Sequence, residues 1–203
     1  QNGEGLCRGR RGGMSLGREE HIGRHRDLEH AVAELAGDTD REQPTETAAA
    51  QHDAQAAEIV AEIGGKGLAI SGLGLYPNPL HPDPAVREPA ITHIKLVIEA
   101  CRRMGVPFMN TFMGGDPKKS LDENWEDALR IWPDIVRLAQ DNGVRNTIEN
   151  CPMIFSRDEW PGGNNIAWSP YIWRRIIEQW GGTVGLNYDP SHLVWQMIDQ
   201  GRF

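Results

Sequence analysis

A chain of 203 residues can build one sizeable core, with length left for part of a second domain. Its formal net charge of −8 argues against a protein that works by coating phosphate backbones, so nucleic acid is not an expected partner. Cys7, Cys101 and Cys151 are too few and too scattered for a disulfide framework or a four-cysteine zinc site. They suit a reducing compartment, and a cytoplasmic location is expected. No run of about 18 apolar residues exists to span a membrane, and the N-terminal residues contain no stretch resembling a signal peptide. Homo-oligomerisation is left open.

Two unequal segments are expected, 1–53 and 54–203. Every aromatic residue lies at or beyond Tyr76, and residues 1–46 hold seven arginines, no lysine and only isolated Leu, Val, Ile or Met. Such a composition buries too little apolar surface to offset the entropy of ordering, so 1–53 is expected to be disordered or loosely helical. One short helix over Arg26–Ala36 is conceivable from Leu28, Val32 and Leu35, and DTDREQPTET reads as a linker. His21 and His25 stand at i, i+4, but Gly23 between them and the lack of a carboxylate partner argue against a metal site.

Beyond residue 54 the pattern becomes regular. A helix over Ala56–Ile63 leads into the first of four β-type runs: GLAISGLG, VPFMNTFMGG, VRNTIENCPM and TVGLNYDPSH. These begin at Gly67, Val106, Val144 and Thr183, an interval of 38 or 39 residues. Helical stripes lie between them. Glu88–Met104 aligns Ile91, Ile94, Ile98 and Cys101. Leu121–Gln140 aligns Trp125, Ala128, Leu129, Trp132, Ile135, Val136 and Ala139; Ser120 and Glu123 form a capping box and Asn142-Gly143 ends it. Pro133 is expected to kink or divide that helix. Tyr171–Trp180 follows the Ser169-Pro170 start signal. Strand and helix at a steady period imply βαβ units and a parallel sheet, with runs apolar on both faces. A doubly wound sheet and a (β/α)8 barrel both fit. In either, chemistry belongs at the carboxyl ends of the strands.

The first run ends in SGLGLYPNPLHPDP. Gly72-Leu73-Gly74 lacks a third glycine, and the prolines that follow preclude an immediate helix, so a dinucleotide fingerprint is rejected. The loop reads as a rigid rim, with His81 a candidate substrate contact. After the second run stands Asn110, another candidate substrate contact, then Gly114-Gly115, which permit close backbone approach to a ligand. Lys118 and Lys119 are expected to be solvated. The third run ends in Glu149, a carboxylate where an unpaired charge is costly, so it faces a cation, a metal or a proton-transfer task. Cys151 reads as a small hydrophobe, since no histidine lies near it in sequence. After the fourth run come Asp189 and His192. Read alone, Asp-Pro-Ser-His could start a helix capped by Asp189 or Ser191. Read with Glu149, the set suits a divalent Mn, Mg, Co or Zn ion, and the metal reading outweighs the cap.

From about Ala56 onward these residues resemble the sugar phosphate isomerase/epimerase family of the xylose isomerase-like barrel superfamily. IENCPM and GLNYDPSHLVWQ carry the resemblance most specifically, supported by the repeat interval and the YPNPLHPD loop. The resemblance implies a (β/α)8 TIM barrel, incomplete here, whose third to sixth strands these would be. It implies Glu149 and Asp189 as metal ligands and His192 as a contact to substrate oxygens. It also implies an isomerase or epimerase of a sugar, sugar phosphate or related polyol, with Glu149 abstracting a proton to leave a metal-held enediolate. The family's remaining histidine and glutamate ligands come from later strands that this chain does not contain. Trp195 is expected in the helix core, or packed on the sugar.

Three alternatives stand beside this reading. Lyase chemistry of the inosose dehydratase type begins with the same proton abstraction. A catalytically incomplete barrel fragment, with no activity of its own, would leave two sheet edges open. A nuclease of abasic DNA needs a histidine-rich multi-metal cluster and a cationic groove; after residue 93 the only histidine is His192.

Overall fold

The computed structural model describes residues 46–153 and 163–196. The Arg26–Ala36 helix, His21 and His25 lie outside the described residues, as does the Trp195 side chain. Helix α1 spans Glu46–Gly65 and starts well before the expected Ala56. Its alanine-rich composition favours helix wherever packing does not decide, so the helix runs back across the expected boundary at residue 54. Ala56 is fully buried, and Ile59 packs against the same core.

Four parallel strands follow in the spatial order β1-β2-β3-β4. They are β1 Leu73–Gly74, β2 Phe108–Thr111, β3 Arg145–Glu149 and β4 Val184–Asn187. Each is shorter than its apolar run. Gly74 faces Asn110, Asn110 faces Thr147, and Thr147 faces Gly185; two residues on, Glu149 faces Asn187. Side chains alternate across a strand, so this register sorts the residues into two faces. Met109, Ile148 and Val184 are buried on one. Asn110, Thr147, Glu149 and Asn187 lie on the other.

The expectation of runs apolar on both faces is thus half wrong. The second face is polar, and even the buried face carries Thr111 and Asn146. Among the described residues, Thr111 Oγ1 and both polar atoms of Asn146 find no hydrogen-bond partner.

Helices α2 (Pro84–Met104), α3 (Leu121–Asp141) and α4 (Pro170–Trp180) return the chain between strands, and α5 (Ser191–Trp195) follows β4. Helix α2 begins ahead of the expected Glu88, because Asp83 caps it through the Ala85 N–H and Pro84 takes its first position. Pro89 is absorbed within it. Helix α3 has the expected capping box and runs through Pro133 as one element, undivided. Packing is the reason: Trp125, Ala128, Trp132, Ile135 and Ala139 anchor it on both sides of the proline. Trp132 is fully buried, and its indole N–H donates to the Met113 carbonyl oxygen at 3.1 Å. Trp180 closes the cluster, its ring 5.4 Å from Trp125 and 6.5 Å from Trp132. Parallel strands backed by helices on the buried face make up part of a barrel wall, with the polar face toward the barrel interior.

Candidate metal centre

Glu149 is the last residue of β3, Asp189 lies two residues past β4, and His192 is the second residue of α5. The adjoining parallel strands bring all three to the carboxyl end of the sheet. His192 Nε2 stands 3.4 Å from Glu149 Oε1 and 3.5 Å from Asp189 Oδ2. One donor atom from each residue lies within 4.8 Å of the others. Donors about 2.1 Å from a zinc-type ion in tetrahedral geometry sit roughly 3.4 Å apart, so the imidazole separations match such a set. Two carboxylates and an imidazole suit Zn, Mn or Co, and less strictly Mg.

The two carboxylate oxygens of Asp189 have different partners. Its Oδ1 accepts the Ser191 N–H at 2.8 Å and so tethers the start of α5. Its Oδ2 faces the histidine. The hydrogen bonds from Ser191, side chain first and then backbone, hold the Asp189 carboxyl below its ordinary range. Asn150, fully buried, fixes the backbone of the same residue: its Nδ2 donates to the Asp189 carbonyl oxygen at 2.8 Å, and its Oδ1 accepts the Asp189 N–H at 2.7 Å.

Two asparagines support Glu149, and sequence reasoning missed them. Asn187 Nδ2 lies 3.4 Å from Glu149 Oε2. Asn165, also fully buried, donates to the Glu149 carbonyl oxygen at 2.8 Å and accepts the Met113 N–H at 3.1 Å. The Tyr76 phenol, two residues past β1, lies within the field of the Glu149 carboxylate. Burial, then the Glu149 charge, pushes the Tyr76 phenol up to about 12. The only local signal for Asn187 was its place opposite Glu149 at a strand end. Tyr76 stands in the same strand-end loop as His81, with no local signal to set it apart.

The other candidates stand elsewhere. His81 is not in the cluster; its Nδ1 accepts the Asp83 N–H, and it lines a separate groove of about 400 Å³ with Arg87, Asp116, Lys119, Asp127 and Arg130. Asn110 shares the face of Glu149, two residues lower in register, where its Oδ1 accepts the Thr147 hydroxyl. The Gly114 backbone does meet a close neighbour, but from its own chain. A Cβ there would lie 2.5 Å from Asn78 Oδ1, and φ is +86°. Lys118 and Lys119 are exposed, as expected, and Lys119 also pairs with Asp127 at 2.6 Å. Burial, ahead of the Glu149 and Asp189 charges, pushes the Cys151 thiol up, which keeps it protonated and suits the hydrophobe reading.

Comparison with known proteins agrees with this architecture. An 84-residue stretch is 34% identical to the uncharacterized protein YfiH of Bacillus subtilis, covering 40% of this chain and 23% of that protein. The structure of D-psicose 3-epimerase with D-tagatose from Clostridium cellulolyticum H10 superposes with a TM-score of 0.53 at 19% identity, over 73% of this chain and 51% of that one. The structure of the IOLI protein with a zinc atom gives 0.54 at 18% identity, over 70% and 49%. The chain therefore spans about half the length of these solved structures and about a quarter of the curated relative. A family model described as xylose isomerase-like TIM barrel matches residues 27–202. Parallel strands with their polar groups gathered at the carboxyl ends are what that match requires, and the chain belongs to the xylose isomerase-like TIM barrel family.

Proposed function

We propose that the chain carries the metal-binding part of an isomerase or epimerase acting on a sugar, a sugar phosphate or a related polyol. The observation that carries this reading is the convergence of Glu149, Asp189 and His192 at the mouth of two adjoining strands. Family membership adds the expectation of carbohydrate chemistry. A divalent ion at this site supplies Lewis-acid polarisation of a substrate carbonyl and its neighbouring hydroxyl. Glu149 removes a proton from the hydroxyl-bearing carbon beside that carbonyl and returns it to the carbonyl carbon, while the hydroxyl proton passes to the former carbonyl oxygen, so the C–H and O–H bonds broken on one side are re-formed on the other. One base on one face suffices for this exchange; inversion needs a second base opposite, and the described residues supply none. His192 either ligates the ion or orients a substrate oxygen. Asn110, lower on the same face, is placed to hold a more distant hydroxyl.

The test is metal content. After dialysis against Mn, Co or Zn, the full chain should retain a stoichiometric ion by elemental analysis. Glu149→Gln and Asp189→Asn should each lose it. A parent that holds none of the three metals defeats the proposal.

A further inference from the structure

Strand pairing stops just short of the candidate ligands. The last registered pair between β2 and β3 is Thr111 with Ile148, one residue before Glu149. The last between β3 and β4 is Glu149 with Asn187, two residues before Asp189. The ladders therefore leave the spacing of the two carboxylates open. Two fully buried asparagines take over where the ladders end. Asn165 Nδ2 donates to the carbonyl oxygens of Glu149 and Cys151, at 2.8 and 2.5 Å, on either side of Asn150. Its Oδ1 accepts the Met113 N–H at 3.1 Å and the Ala167 N–H at 3.3 Å. Asn150 in turn bonds both backbone polar groups of Asp189. Neither amide can be turned over, since that would set N–H against N–H and oxygen against oxygen. Hydrogen bonds thus run from just past β2, through Asn165, to the end of β3, and through Asn150 to Asp189.

We infer that Asn165 and Asn150 form a relay that sets the spacing of Glu149 and Asp189, with Asn165 a positioning residue for both. Asn165 holds the peptide units on each side of Asn150, so its loss frees the Glu149 backbone directly and loosens Asn150, and with it Asp189. Both asparagines act through backbone, so neither is itself a ligand. Groups that orient metal ligands typically change metal affinity by about 10–100-fold when removed. Because the two links stand in series, breaking either one releases the same spacing, and their effects are coupled rather than additive in free energy.

The relay rests on the metal reading above, and Co(II) titration of the full chain separates the two, run where circular dichroism shows each variant folded. Asn165→Ser keeps a hydroxyl for the Ala167 N–H but is too short to reach Glu149. Asn165→Asp keeps the shape and loses the donor. Either should weaken Co(II) binding about tenfold or more and shift the visible d–d bands. Combined with Asn150→Ala, the loss should fall well short of the product of the two single losses. If the parent binds Co(II) and a folded Asn165 variant matches it in affinity and spectrum, Asn165 only supports the fold, and the relay is overturned while the metal reading stands. Losses that multiply in the double variant would make the asparagines independent and overturn it equally. If the parent takes up no Co(II), the metal reading fails and the relay fails with it.

Discussion

The Asn150 side chain grips the backbone of Asp189 from both sides, donating to its carbonyl oxygen and accepting its N–H across 39 residues of sequence. This pair ties the end of β3 to the end of β4. Asn150→Ala would leave two polar groups without partners, and a buried unsatisfied group costs about 1–3 kcal/mol. Urea denaturation should show a loss of that order, and Co(II) affinity should fall because the Asp189 backbone is released. A variant with parental stability and affinity would remove the clamp from the account.

Metal should stabilise the fold by mass action. A ligand bound only to the native state at about 100 times its dissociation constant contributes roughly 2.7 kcal/mol. For a chain of this size that raises the melting temperature by roughly 5–10 °C. Adding Mn or Co should produce such a rise in the parent, EDTA should reverse it, and Glu149→Gln should show neither effect.

Gly114→Ala is expected to destabilise the rim. The backbone there has φ of +86°, and the new methyl would meet Asn78 Oδ1 at 2.5 Å and the Leu80 nitrogen at 2.8 Å. Asn78 bonds both the N–H and the carbonyl oxygen of Gly115, at 2.9 and 2.8 Å, so it cannot simply move aside. A loss of about 1–3 kcal/mol for a strained residue is expected from chemical denaturation. Parental stability in this variant would mean that the two loops are less tightly joined than the structure shows.

Acid should weaken the start of α3. The Glu123 carboxyl accepts the Ser120 N–H and hydroxyl, each at 2.8 Å, and these bonds lower it from its ordinary value of 4.5, the backbone bond most. A group depressed in the folded state stabilises above its unfolded value, and the contribution disappears as pH falls through the folded one. The difference in melting temperature between the parent and Glu123→Gln should therefore be full near neutrality and shrink below pH 4.5. A difference independent of pH would assign the effect to something other than the carboxylate.

The strand order and the positions of Glu149, Asp189 and His192 were legible because they obey local rules: a repeating strand–helix interval, and polar residues where apolar runs stop. Strand lengths were not. Leu68 and Ile70 look like strand residues, yet Leu68 is 64% exposed and pairing begins only at Leu73. The apolar stripe from Ile91 set the expected start of α2 at Glu88, although Asp83-Pro84 carried the stronger start signal. Asn165 and Asn78 were illegible for another reason. Each acts on backbone far away in sequence, 52 residues for Asn165 to Met113 and 37 for Asn78 to Gly115, and no spacing rule announces such a contact.

The shared carboxylate of Asp189 has one more effect. Helix α5 has only five residues, and so short a helix holds itself poorly without outside help. Its first turn is moored by one oxygen of a side chain whose other oxygen points to the cluster. Filling or emptying the mouth of the sheet must therefore tighten or loosen that mooring, and the course the polypeptide takes after β4 becomes a readout of occupancy.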